Sequence, residues 1–158
     1  MIKKELKTRL EKIELEYLKE KYLFVPEHAL ARAKWSDKNT NELTKSILRF
    51  IKYSGYQAER INTMGVYRAP KTDTDVVGRS RTLGQGKWTK GTGTRGSSDI
   101  SATIKGRSVK IEVKFGKDRQ SEFQKAYQRT IERAGGVYII AKNMTDFVEW
   151  YDDFIKNI

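Results

Sequence analysis

Apolar residues near the start of the chain fall on a helical spacing. Leu6, Leu10, Ile13 and Tyr17 are four, three and four residues apart, with charged residues between them, which predicts a helix over residues 2 to about 22. Pro26 breaks the pattern, and a short helix is expected from Glu27 to Lys34. Leu43, Ile47, Phe50 and Ile51 then mark the apolar face of a helix from about Thr40 to Ser54, and Gly55 stands where a left-handed C-cap belongs. A strand is expected from Tyr56 to Asn62.

The pattern disappears between residues 65 and 98. This stretch is rich in glycine and poor in apolar residues, and it reads as a long structureless loop that orders on a partner, against the plainer reading of a flexible loop. Strict alternation returns afterwards. Ile100, Ala102 and Ile104, then Val109, Ile111 and Val113, predict a hairpin turning near Lys105-Gly106-Arg107. A helix follows from about Ser121 to Ala134, with Phe123, Ala126, Tyr127, Thr130, Ile131 and Ala134 on one face. Val137 to Ala141 is almost wholly apolar, the pattern of a central strand. A last helix, from about Thr145 to Lys156, buries Phe147, Trp150, Tyr151, Phe154 and Ile155. The fold class is mixed α/β, a small sheet flanked by helices. Residues 1–38 form a helical N-terminal extension that either packs on the domain or meets a partner, and residues 39–158 form the main domain.

Composition narrows the chemistry. The chain has 158 residues, no cysteine and a single histidine, His28, which excludes disulfide scaffolds, thiolate zinc sites and multi-histidine metal sites. No apolar run is long enough to span a membrane, and Met1-Ile2-Lys3-Lys4-Glu5 lacks the apolar core of a secretory signal, so a cytoplasmic protein is expected. Lys+Arg minus Asp+Glu is 32 − 20 = +12. From Arg60 to Arg119 there are 14 basic and 5 acidic residues, so +9 of the excess sits in the middle of the chain. That concentration points to nucleic acid rather than to a merely solvated basic face or an anionic membrane. Arg68, Lys71, Arg79, Arg81, Lys87, Lys90 and Arg95 lie among the glycines of the loop, and Lys117 and Arg119 follow the hairpin. Trp88 either stacks on a base or anchors the loop.

The hairpin carries the candidate chemistry. Its apolar residues share the core face, so opposed positions sum to an odd number. A turn on Lys105-Gly106 sets Asp99 opposite Glu112, and a turn on Gly106-Arg107 sets it opposite Lys114. In either register Asp99, Glu112 and Lys114 converge on the other face. Two adjacent carboxylates are tolerated if one is protonated or if cations neutralise them. Hard oxygen ligands suit Mg²⁺ or Mn²⁺, and such a site suits phosphodiester hydrolysis. The competing reading is a surface hairpin with ordinary ion pairs.

Asp99 followed after twelve residues by Glu112-Val113-Lys114 resembles the PD-(D/E)xK nuclease signature. Together, Gly96-Ser97-Ser98-Asp99-Ile100, Ile111-Glu112-Val113-Lys114, and Ser121-x-x-Gln124 followed by Gly135-Gly136 resemble the VRR-NUC branch, over roughly Asn41 to Ala141. Ser98 stands where the wider superfamily has proline. The resemblance implies a restriction-endonuclease-like core with Asp99 and Glu112 as ligands of Mg²⁺ (Mn²⁺ substituting), aided by the Val113 carbonyl. Lys114 would be the catalytic lysine. Glu42 resembles the first acidic residue, supporting the metal site, and Gln124 the glutamine facing it. Asn39-x-x-Glu42 and Ser121-x-x-Gln124 also read as capping boxes, which would explain both residues without catalysis.

The expected function is a Mg²⁺-dependent DNA endonuclease. The resemblance further implies a homodimer acting on branched DNA such as Holliday junctions, from a phage or mobile element. The alternatives are a restriction-like or flap- and end-processing nuclease on duplex DNA, and a non-catalytic nucleic-acid-binding module.

Overall fold

The computed structural model describes residues 2–62, 65–89, 91 and 93–158. Its elements are α1 (Lys4–Lys21), a 3-10 turn (Glu27–Ala29), α2 (Thr40–Tyr53), β1 (Gln57–Arg60), β2 (Val66–Arg68), β3 (Lys71–Thr74), β4 (Ser80–Leu83), β5 (Lys87–Thr89), β6 (Ile100–Ile104), β7 (Arg107–Val113), α3 (Glu122–Arg133), β8 (Val137–Ala141) and α4 (Met144–Lys156). The main sheet has the order β1-β6-β7-β8. Its first three strands are antiparallel, and β8 runs parallel to β7, reached through α3. The fold is mixed α/β with helices flanking a mixed sheet. Among the described residues no helix is long and apolar enough to cross a membrane.

The core lies between one sheet face and the helices α1, α2 and α4. Ile100, Ile104, Val109 and Ile111 supply the sheet side, while Leu10, Leu43, Ile47, Phe50, Met144 and Phe147 supply the helical side. Phe50 meets Phe147 and Tyr151 edge-on, at ring-centroid distances of 5.9 and 4.8 Å. Leu10 and Trp35 belong to this same core, so residues before 39 pack on the domain. In α4, Phe147 and Tyr151 are buried, whereas Trp150, Phe154 and Ile155 are only half-buried at its margin.

Three expectations need correction. The helix expected over 27–34 shrinks to one 3-10 turn. Beyond it the chain is held to α1 by tertiary bonds: the buried Glu14 carboxylate accepts from the Ala33 N–H at 2.7 Å and the Trp35 indole N–H at 3.1 Å. β8 is an edge strand, not a central one. Its apolar character comes from helices α3 and α4, which pack on it, and Ile140 remains exposed. No residue of α3 is buried, because the helix covers only part of the sheet face opposite the core.

The third correction is the largest. The stretch from 65 to 98 is not structureless: β2 pairs with β5 and β3 with β4, both antiparallel. The Asp75-Val76-Val77-Gly78 turn closes the outer hairpin, where the Asp75 carboxylate accepts the Val77 and Arg79 N–H groups at 3.0 and 2.9 Å. Every residue of these four strands is exposed, so they form a ribbon that stands off the domain.

Candidate functional site

The hairpin between β6 and β7 settles the register. Ile104 pairs with Arg107 across Lys105-Gly106, both with positive φ (46° and 77°), the geometry of a two-residue type I′ turn. Ile100 pairs with Ile111, and one step further Asp99 stands opposite Glu112. The Val113 N–H donates to Asp99 Oδ2 at 2.8 Å, so the aspartate is fixed against the neighbouring strand while remaining half-buried.

Glu112 is buried on the sheet face away from the core. Lys114 Nζ lies 3.0 Å from its Oε1 and 3.4 Å from Asp118 Oδ2. The Gln124 amide donates to Glu112 Oε1, and the Tyr138 hydroxyl donates to Oε2 at 3.4 Å. Burial, and then the Asp99 charge, push the Glu112 carboxyl above the usual carboxylate range, against the pull of Lys114 and Tyr138. Burial alone would lower the Lys114 ammonium, but Glu112 and Asp118 outweigh it, and its pKa is raised. Burial also pushes the Tyr138 phenol up, helped by the nearby Glu112 charge.

Gln124 closes a capping box and bonds Glu112 at the same time. Its amide oxygen accepts the Ser121 N–H at 2.9 Å and the Ser121 hydroxyl accepts the Gln124 N–H at 3.3 Å, completing a capping box at the start of α3. The amide nitrogen is thereby left for Glu112. Gly96 brings the preceding loop against the same helix end. Its φ is +82°, and a Cβ there would overlap the Phe123 carbonyl and the Gln124 nitrogen.

Glu42 is not brought into this group. Asn39 caps α2 by accepting the Glu42 N–H at 2.9 Å, and the Glu42 carboxylate accepts from the Ser36 hydroxyl in a recess shared with Lys34, Lys45 and Arg49. Among the described residues, no three acidic or histidine side chains gather as a metal-ligand cluster. The two carboxylates that face each other across the hairpin are Asp99 and Glu112, oxygen donors of the kind that hard divalent cations take.

The basic residues fall into two places. Arg68, Lys71, Arg79, Arg81 and Lys87 are on the ribbon, with Trp88, and all are exposed. Arg95 is different: its guanidinium lies 3.6 Å over the Phe123 ring, at the start of α3. Lys117 and Arg119 are exposed in the loop between Lys114 and α3. Lys90 lies outside the described residues.

Sequence reasoning missed Tyr138, Asp118 and Gly65. Tyr138 had a signal: its hydroxyl is the only polar side-chain atom in the run Val137–Ala141, and alternation sets it on the face opposite Val137 and Ile139. Asp118 and Gly65 had none, since one is an ordinary loop acid and the other gains its role from its closeness to Trp88. Comparison with protein-family models finds no match to this chain, and comparison with curated proteins finds none either.

Proposed function

We propose that the protein is a divalent-metal-dependent DNA endonuclease with a PD-(D/E)xK core of the VRR-NUC type. The observation that carries this reading is the placement of Asp99, just before β6 and bonded to the Val113 N–H, across from Glu112 of β7, with Lys114 against Glu112 and Gln124 locking its carboxylate. Asp99, Glu112 and the Val113 carbonyl would hold Mg²⁺, which when bound supplies an activated water and neutralises charge on the leaving oxygen.

The chain's own residues do the rest. Lys114 keeps a positive charge beside the carboxylates, where a phosphate or attacking water would lie. The Val113 N–H and Gln124 amide fix the two carboxylates in place, so little reorganisation is needed on binding. The ribbon cations and Lys117 and Arg119 supply backbone attraction for DNA. Branched DNA and a dimer with two sites related by a twofold axis follow from the resemblance, and paired incision of a symmetric junction would need both.

A second reading has one observation in its favour. Glu112 is already paired with Lys114, so the hairpin is electrostatically satisfied as a binding surface without catalysis. The test is cleavage of a labelled panel of four-way junction, splayed arm, flap, linear duplex and single strand, in Mg²⁺ or EDTA, with wild type and Glu112→Gln. The amide replacement keeps the side chain's shape and removes the charge. Metal-dependent cleavage, lower by about a hundredfold or more in the variant, is the expected outcome. Paired nicks in the junction alone would add the resolvase. Absence of cleavage in Mg²⁺ and Mn²⁺, with DNA binding intact, would replace the enzyme by the binding module.

A further inference from the structure

Tyr67 and Trp88 are directly opposed in the pairing of β2 with β5, so their rings share one face of the ribbon. Neither ring fastens the ribbon to the domain: Trp88 is 62% exposed and Tyr67 58%. Each lies instead on ribbon backbone. A Cβ at Gly65 would overlap the Trp88 indole, and one at Gly86 would overlap the Tyr67 ring. Glycine at both positions lets two large rings lie close against the chain while more than half of each residue's surface stays in water.

The next pair along, Arg68 opposite Lys87, falls on the other face of the ribbon. Directly opposed like charges weaken an isolated ribbon and are relieved by a polyanion. The ribbon therefore offers ring faces on one side and cations on the other. A duplex presents phosphates but hides the flat faces of its bases. An unpaired strand presents both, and base–aromatic stacking is the interaction it adds.

We infer that the Tyr67–Trp88 face is a stacking platform for unpaired DNA bases, with the ribbon cations holding the backbone. This rests on the proposed nuclease function and adds a substrate feature to it: DNA whose bases are splayed, as at a branch point or a single-stranded arm.

The test measures binding in EDTA, where nothing is cut. Fluorescence anisotropy compares a labelled thymidine oligonucleotide with a duplex of equal length. Trp88→Ala and Tyr67→Ala are each expected to weaken single-strand affinity by about tenfold or more while changing duplex affinity by less than about twofold. Trp88→Phe, which keeps a ring, should retain most of the single-strand affinity. Arg68→Gln should weaken both ligands alike and flatten their salt dependence. A structural role for Trp88 would lower both affinities together, so the ratio between the two ligands separates platform from scaffold. Unchanged single-strand affinity in both alanine variants, parallel loss on both ligands, or a change of sedimentation on Trp88→Ala with the ratio preserved would overturn the platform. A wild type that stacks single strands through Trp88 yet never cleaves would instead overturn the nuclease, leaving the platform standing.

Discussion

The Gln124 amide accepts from Ser121 with its oxygen and donates to Glu112 with its nitrogen, so one side chain ties the start of α3 to β7. Ser121-Glu122-Phe123-Gln124 is readable as a capping pattern from local spacing alone. The bond to Glu112 is not, because it exists only where α3 crosses back over the sheet. Glu42 shows the converse: its spacing from Asn39 marks the helix start, but Ser36 rather than the carboxylate pair receives its side chain. Gln124→Glu separates the two roles. Glutamate can still close the capping box, but its oxygen replaces a donor with a like charge beside the buried Glu112. The folded-state pKa of Glu112 is already raised. A carboxyl of this kind contributes stability that is present below the ordinary glutamate value and lost as pH rises through the raised one, and the second carboxylate deepens that loss. Gln124→Glu should therefore be destabilised by about 1–3 kcal/mol at neutral pH, with the deficit shrinking toward about pH 4. Denaturant unfolding at both pH values checks this, and an equal deficit at each would refute it.

Helices α2 and α4 follow from sequence because one strong apolar stripe meets a deep core in each. Helix α3 keeps the helical period but buries none of its residues, so periodicity identified the element and left its depth of burial open. The ribbon escaped notice for a related reason: alternation marks a strand only where one face is apolar and covered, and β2 to β5 are exposed on both. Packing of α1 was left open by sequence and rests on partners far apart in the chain. Besides Leu10 and Glu14, Arg9 forms a bidentate pair with Asp152 of α4, at 2.5 and 2.6 Å. The Arg9 hydrogen bonds hold the Asp152 carboxyl below its ordinary value, against a smaller cost of burial. A lowered carboxyl contributes stability that is fully present above its unfolded pKa and is lost as pH falls through the folded one. Asp152→Asn should cost about 1 kcal/mol at neutral pH, a modest figure because both groups are partly exposed. The difference from wild type should begin to close below about pH 4, the unfolded value, and vanish once the pH falls below the lowered folded value of Asp152. Thermal unfolding of both proteins across that range measures it, and a pH-independent difference would assign the effect to packing instead.

At the scale of the whole molecule, charge and core are separated in space. The core lies between one sheet face and α1, α2 and α4, while the candidate carboxylates and Lys114 lie on the opposite face, partly covered by α3. The ribbon joins neither layer. It carries Arg68, Lys71, Arg79, Arg81 and Lys87 against Asp73 and Asp75, a net contribution of 5 − 2 = +3. Its ends are already neighbours, since Val66 pairs with Thr89. Replacing residues 66–89 by a short glycine turn should therefore leave the domain folded, with a midpoint of thermal unfolding within a few degrees of wild type, because no residue of the four strands is buried. DNA affinity should fall and its dependence on salt should flatten. Each phosphate that the protein no longer neutralises reduces the steepness of log K against log salt by about 0.9 on duplex DNA, so engagement of most of the five ribbon cations predicts a decrease of about 3 to 4. A slope unchanged after deletion would move DNA attraction from the ribbon to Lys117, Arg119 and the sheet face. A domain that unfolds would show instead that the ribbon, although exposed along its whole length, is needed to close the loop that positions Gly96 against α3 and Asp99 beside Glu112.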